Sequence, residues 1–330
     1  MQIAAYANQD VPSSHYRAYQ PMIELDRRGH QIDLRLTAAD LEGPLPECEV
    51  AFLARYREPE ARELVRALQA QGTTVVWDCD DDVVSVRLDG DAEAQAYLAD
   101  LREMIQLVDV VTTTRDELGD IFLREGARAV ITIPNYLAAP NLGLGRRHHE
   151  GIVIGWIAWI DHQKDWDLLG LDEVFKELLD RHEDLHVESV GPIDLRLGGD
   201  RYNRRPTVTF PELGPAIAGF DIGIAPLATE IEANFSRSDI KLKEYAVAGV
   251  PWLASPIGPY EGMGEEQGGR LVGDDDWFDA VDQLVRDGRG RRKLAKKGQR
   301  WGREHVLAHH VDVWEEVFYE AVELSGRRVT

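Results

Sequence analysis

The sequence predicts an α/β protein of two doubly wound domains, each a largely parallel sheet covered by helices. Three observations carry that expectation. Short apolar runs alternate with segments of helical period along most of the 330 residues, as parallel sheets with crossover helices require. The alternation stops in an aperiodic stretch, residues 134–151, and then begins again. The length itself suits two domains at roughly 100 to 200 residues each. With 44% hydrophobic and 29% charged residues, the chain can build a sizeable core and is not disordered.

Residues 3–7 form a short apolar run, a helical segment ends at Gly29, and 31–36 alternates apolar and polar positions. That is a β-α-β unit. Further strand-like runs fall at 49–54, 74–77, 109–112 and 129–133, with Leu98, Leu101 and Ile105 at helical spacing between two of them. The stretch 134–151 holds Pro140, Asn141, Gly143 and Gly145, then Arg146, Arg147, His148 and His149, and reads as the linker. Beyond it, Ile152–Ile157 is a strand, 166–179 a helix, and Leu185–Val190 a strand stopped by Gly191 and Pro192. Strands at 208–210, 221–225, 250–254 and 270–272 alternate with helices at 213–219, 240–248 and Trp277–Arg286. In the tail 307–324, Trp314, Val317, Phe318 and Ala321 share one helical face, which must pack on something. The expected division is therefore residues 1–145, residues 146–310, and a C-terminal helix, 311–330, packing on the domains. Ligands of doubly wound sheets bind beyond the carboxyl ends of the strands, so two such domains point to a cleft.

Composition excludes several partners. Asp and Glu number 59 against 37 Lys and Arg, a formal charge of -22, which repels phosphate backbones and anionic lipid at long range. Nucleic acid is not an expected partner, and an anionic ligand would need a few placed cations and helix N-termini. Cys48 and Cys79 are the two cysteines, too few for a disulfide framework or thiolate cluster. They read as small buried hydrophobes in a reducing, cytoplasmic protein. The first seven residues lack a signal peptide's basic start, and no apolar run is long enough for an integral membrane segment. No G-x-S-x-G, Walker loop, H-E-x-x-H or Cys/His metal spacing occurs, so no cofactor and no metal are expected. His309 and His310 read as solvated or helix-end residues. Trp156, Trp159 and Trp166 are of a type that stacks on sugars, although core packing is the better assignment for Trp156.

The most informative stretch is residues 234–251. Ser236 followed by Asp239 has the spacing of a capping box, which would leave first-turn N–H groups for an anion. Lys241 and Glu244, three apart, share a face, while Leu242, Tyr245 and Ala246 can face the sheet. The order of parts is Asp221-Ile222-Gly223-Ile224-Ala225-Pro226-Leu227, then this helix, then Gly249-Val250-Pro251-Trp252-Leu253-Ala254-Ser255. It resembles the nucleotide-sugar half of GT-B glycosyltransferases, the family 4 type in particular.

The resemblance implies two Rossmann-like domains facing each other across a cleft, the first on the acceptor side. It implies transfer of a sugar from a nucleotide diphosphate donor to a small-molecule or glycan acceptor, with retention of configuration; since cations are at hand to neutralise the diphosphate, no metal is expected. By the same resemblance Glu244 holds the donor ribose and Lys241 faces the phosphates. Ser236, standing where the family often has a second Glu, joins Arg237 and Ser238 at the donor-binding helix start. Ile154-Gly155-Trp156-Ile157 followed by His162-Gln163-Lys164-Asp165 resembles the first strand and loop of the family's C-terminal domain. Lys164 then reaches the diphosphate, with His162 beside it and Asp165 as N-cap. Residues 208–212 match the segment whose backbone reads the base.

In the N-terminal half, Ser13-Ser14-His15-Tyr16-Arg17 resembles a phosphate-facing loop, with Arg17 as a bidentate contact. Asp80, and next Asp78, stand at the strand end where many relatives place a histidine near the sugar. Asp80, Lys164 and Lys241 are thus the expected catalytic residues. Rival readings of the acidic run are a metal-binding Asp-x-Asp of GT-A type and a plain helix cap. Rival functions are a nucleotide-sugar 2-epimerase and a non-catalytic nucleotide-sugar-binding protein.

Overall fold

The computed structural model describes residues 1–88, 90–138 and 149–326. The expected boundary at 145/146 and most of the linker's turn formers lie outside the described residues. The chain forms two compact units. The first is Met1–Tyr136 with Ser236–Ser238 and the segment from Leu307 onward, and the second is Leu137–Phe235 with Asp239–Val306. No helix among the described residues is long and apolar enough to cross a membrane.

In the first unit six parallel strands lie in the order β2-β1-β3-β4-β5-β6. They are β1 (Gln2–Tyr6), β2 (Gln31–Arg35), β3 (Val50–Ala54), β4 (Thr74–Asp78), β5 (Val110–Thr113) and β6 (Val130–Thr132). The helices are α1 (Pro12–Ser14), α2 (Gln20–Arg27), α3 (Pro59–Ala70), α4 (Ala92–Leu107) and α5 (Asp116–Arg124). Every residue of β3 and β4 is buried, as central strands covered on both faces must be. The period of two divides them between two cores: Ala51, Leu53, Val75 and Trp77 face one, Val50, Phe52 and Val76 the other. Helix α3 starts with Pro at its first turn and buries Ala61, Leu64, Val65 and Leu68. Helix α4 buries Leu98, Leu101 and Ile105, and Asp91 caps it by accepting from the N–H groups of Glu93 and Ala94.

The second unit repeats the plan in the order β12-β11-β10-β7-β8-β9, again all parallel. Its strands are β7 (Ile152–Ile157), β8 (Leu185–Val190), β9 (Tyr202–Arg205), β10 (Ile222–Ala225), β11 (Trp252–Ala254) and β12 (Gly269–Leu271). Its helices are α6 (Gln163–Leu168), α7 (Leu171–Arg181), α8 (Phe210–Ile217), α9 (Ile240–Val247), α10 (Trp277–Arg286) and α11 (Gly288–Glu304). Helix α12 (Val311–Ser325) follows and belongs to the first unit. Its Trp314 and Phe318 rings meet Phe52 at 5.9 and 5.8 Å.

Two local expectations are corrected. Residues 208–210 are not a strand. Thr209 and Glu212 form a capping box, the Glu212 carboxylate accepting from the Thr209 N–H and hydroxyl at 2.9 and 2.7 Å, so the chain turns into α8. The strand lies earlier, in the polar edge segment β9. The single helix expected at 166–179 is two, α6 and α7, separated at Gly170, whose φ of 60° is left-handed.

The carboxyl ends of β4, β5 and β6 are drawn together by one buried ion pair. Arg17, in a π-helical turn (His15–Tyr19) before α2, is 1% exposed. Its Nη2 donates to Asp78 Oδ2 at 2.7 Å and to the Thr113 carbonyl at 3.3 Å, and Nε donates to both Asp78 oxygens. Nη1 donates to the Ile133 carbonyl and to Asn135 Oδ1. Asp78, fully buried, also accepts from the Thr112 hydroxyl at 2.8 Å. Removing one charge of a buried pair strands the other, at about 3–5 kcal/mol. Asp78→Asn is therefore expected to lower stability by that amount in urea unfolding. A loss below about 1 kcal/mol would show that the pair does not hold the strand ends.

Candidate functional site

Of the expected donor residues, His162, Lys164, Lys241 and Glu244 lie in the second unit at the carboxyl ends of its parallel strands, whereas Ser236, Arg237, Ser238 and Arg17 belong to the first unit. Helix α9 begins at Ile240. Its N-cap is Asp239, whose side chain makes no cap hydrogen bond and instead pairs with the buried Lys243 at 2.7 Å. The expected Ser236 box is thus corrected. Ser236 closes a 3-10 turn (Glu232–Ser236), which places it before α9 and outside its first turn. Arg237 is half-buried, and Ser238 accepts a hydrogen bond from Asn135 at 3.1 Å. The ammonium of Lys241 donates to the carbonyl of Ile157, the last residue of β7. One turn on, Glu244 is buried.

Tyr245 anchors this helix. Its hydroxyl donates to the Ile224 carbonyl at 3.0 Å and accepts from the Ile157 N–H at 3.4 Å. Gly223 permits the approach, because a Cβ there would stand 2.7 Å from the Tyr245 ring. Lys241 and Glu244 are therefore carried on a helix pinned to the ends of β7 and β10.

The loop after β7 is built on a buried polar network. Asp165 is fully buried, so its carboxylate needs several donors. It is bonded to His162 Nδ1 at 2.9 Å, the Ala228 N–H at 2.8 Å and the Asn234 amide at 2.6 Å. Asp165 is thus no N-cap: α6 starts at Gln163 with His162 in the capping position, and Asp165 fixes the His162 ring. Lys164 is exposed in the first turn of α6 and has no ion pair among the described residues. Trp156 and Trp166 stack at 5.7 Å inside the core, whereas Trp159 is 52% exposed. Nearby, Gly191, Pro192, Arg204, Arg205, Pro206 and Thr207 line an open depression of about 370 Å³ at the ends of β8 and β9. Gly191 has φ 127° and its missing Cβ would meet the Ala158 carbonyl at 2.0 Å, so the depression's floor requires glycine.

In the first unit the acidic run is divided between two cations. Asp78 belongs to Arg17. Asp80, 8% exposed, pairs with Arg55 at 3.2 Å, and Arg55 also reaches Asp81 at 2.7 Å and the Ser13 hydroxyl at 3.3 Å. Asp82 caps a turn, accepting from the Val84 and Ser85 N–H groups. Asp78 and Asp80 thus do not converge as a chelating pair, and no three His, Cys, Asp or Glu among the described residues are grouped as metal ligands. Arg55 has φ 64°, rare for a residue with a side chain. Periodicity gave no sign of it. Burial, with the neighbouring Asp81 charge, pushes the Asp80 carboxyl up to about 6. Burial pushes the Cys79 thiol to about 12, so it is an inert core group.

Arg17 is corrected as well. Expected at a phosphate, it has all five N–H groups donated inside the first unit, so it acts as an internal brace.

No protein-family model matches the chain, and no curated protein matches it in sequence. Solved structures do match. Sucrose-phosphate synthase from Thermosynechococcus elongatus aligns with a TM-score of 0.71 at 13% identity, over 98% of this chain and 99% of that one. HepE from Anabaena, in complex with UDP-glucose, gives 0.70 at 12% identity over 98% and 99%. A putative UDP-N-acetylglucosamine 2-epimerase from Listeria monocytogenes gives 0.60 at 10% identity over 97% of each chain. Together with the two parallel six-stranded sheets and their flanking helices, these likenesses establish the GT-B fold.

The raised Asp80 carboxyl has a consequence for stability. Between its ordinary value, near 4, and about 6, the folded chain holds a proton at this site that the unfolded chain has lost. Stability from this group is complete below about pH 4 and falls as pH rises through about 6. Asp80→Asn removes the dependence. Urea unfolding from pH 4 to 7 should show the variant gaining on the wild type up to about pH 6.5 and then holding level. A variant that instead loses ground to the wild type as pH rises would contradict the assignment.

Proposed function

We propose that this protein is a glycosyltransferase that moves a hexose from a nucleoside diphosphate to an acceptor hydroxyl, holding the nucleotide on its second unit. The observation that carries the reading is the placement of Lys241 and Glu244 on α9, pinned by Tyr245 to the ends of β7 and β10. Ligands of doubly wound sheets bind at such ends. Support comes from the end-to-end likeness to sucrose-phosphate synthase and to a structure that holds UDP-glucose. A UDP-hexose is accordingly the first donor to test.

In this reading Lys241 and Lys164 neutralise the diphosphate, whose charge grows as the sugar departs. Two protein cations do there what a divalent ion does elsewhere, so the transfer proceeds without metal. Glu244 accepts hydrogen bonds from the ribose hydroxyls. The base lies over the depression at Gly191 and Thr207, read by the backbone of 208–212. Ser236, Arg237 and Ser238 give hydroxyl and cationic contacts at the start of α9, and His162, oriented by Asp165, contacts the sugar. On the acceptor side, Asp80 steadies positive charge on the sugar ring or orients the acceptor hydroxyl, and Arg55 holds it in place. The anomeric configuration is retained, and the leaving phosphate takes the acceptor proton. Epimerisation has less support, since the epimerase aligns less closely.

Glu244→Ala is expected to weaken UDP binding by about 1.5–3 kcal/mol, the range for a hydrogen bond to a charged group. Calorimetry on the folded variant decides this, and unchanged affinity would overturn the ribose assignment. In the same preparation, acceptor-dependent release of UDP should persist in excess EDTA. Release restored only by Mn²⁺ or Mg²⁺ would contradict the metal-free reading.

A further inference from the structure

Helix α11 carries charge of the opposite sign to the rest of the chain. Its 17 residues hold eight Lys or Arg and one carboxylate, in a protein of formal charge -22. The distribution around the helix is one-sided. Leu294, Gly298 and Gly302 are buried, and a Cβ at Gly302 would stand 2.8 Å from the backbone of Val247, so this face is seated closely on α9. Arg289, Arg292, Lys293, Lys296, Arg300 and Arg303 are all exposed. At 3.6 residues per turn these six fall within an arc of about 100° opposite the buried face, along about 21 Å of helix. Lys293 lies 4.0 Å from Glu265. The other five have no ion pair among the described residues.

We propose that the outer face of α11 is an electrostatic docking surface for an anionic lipid bilayer. The repulsion expected from a charge of -22 acts at long range, but the Debye length is about 8 Å at physiological salt. At contact the local stripe decides. None of the exposed large hydrophobic side chains of the described residues lies on α11. That counts against a protein partner, because interface cores are built on aromatic and apolar anchors and are poor in Lys. It suits adsorption to lipid headgroups, where charge alone suffices and each Lys or Arg strengthens binding by about fivefold. Six cations within an arc of about 100° of one helix can also face a plane together. Base edges in a nucleic-acid groove are also read by Asn, Gln and Ser, and the stripe consists of Arg and Lys alone. The inference does not depend on the proposed transferase activity.

Sedimentation of the full chain with vesicles of 30% phosphatidylserine in phosphatidylcholine, and with pure phosphatidylcholine, tests it. At 0.1 M NaCl, partition onto the anionic vesicles is expected to exceed that onto neutral ones at least tenfold, and to fall at least tenfold at 0.5 M NaCl. Replacing Arg292, Lys296 and Arg300 together by Gln should reduce it about a hundredfold, at about fivefold per cation. Arg292→Lys with Arg300→Lys keeps the charge and should retain binding, which separates charge from any effect on folding. Equal sedimentation with both vesicle types, an undiminished triple Gln variant, or binding to duplex DNA or polyglutamate in preference to anionic vesicles would each overturn the proposal.

Discussion

The guanidinium of Arg17, with all five of its N–H groups donated within the first unit, sets the geometry of that unit's strand ends. Its partners are the side chain at the end of β4, a carbonyl at the end of β5, and a carbonyl and side chain just beyond β6. A π-helical turn brings the arginine there, and such turns are often found at functional sites. Because Arg17 satisfies Asp78, the next carboxylate, Asp80, answers to a different cation, Arg55. Asp80 is left short of full compensation in a buried setting, which raises its proton affinity into the range where catalytic carboxyls work. Asp78, neutralised by the brace, and the tuned Asp80 are two residues apart and have different surroundings.

The second unit solves a related problem by other means. In the proposed reading its candidate cations meet a diphosphate in a chain rich in carboxylates. Lys243, two residues after Lys241, is buried and paired with Asp239, so the two lysines of α9 have separate duties. Tyr245 and the absent side chain of Gly223 fix the helix that carries Lys241. The Asp165 network fixes the loop that carries Lys164. Reactive groups placed on rigid supports lose little entropy on binding a ligand.

Much of this was legible in the sequence, for identifiable reasons. Apolar runs of four to six residues become buried strands wherever both faces are covered, so the strands along the chain could be read for the first unit and, β9 excepted, for the second. The face holding Trp314, Val317 and Phe318 is buried against Phe52. What escaped depended on competition between local signals and on tertiary partners. Thr209 and Glu212 form a capping box that overrode the β-propensity of Val208, while Ser236 and Asp239, with similar spacing, form none, because Lys243 claims the Asp239 carboxylate. Tyr202–Arg205 escaped because an edge strand needs no apolar pattern. Arg17 looked like a phosphate ligand, since an arginine in a strand-to-helix loop has the same local sequence whether its partner is a ligand or a buried aspartate. The left-handed backbone of Arg55 has no signature in composition or period.

The central claim is that the diphosphate of a nucleotide sugar rests on the cations at the ends of the second sheet. A crystal structure of the protein grown with UDP-glucose tests it most directly. The account predicts the diphosphate within about 3 Å of the Lys241 ammonium, with the ribose hydroxyls on Glu244. A nucleotide bound elsewhere, or one held through a metal on Asp78 and Asp80, would contradict it.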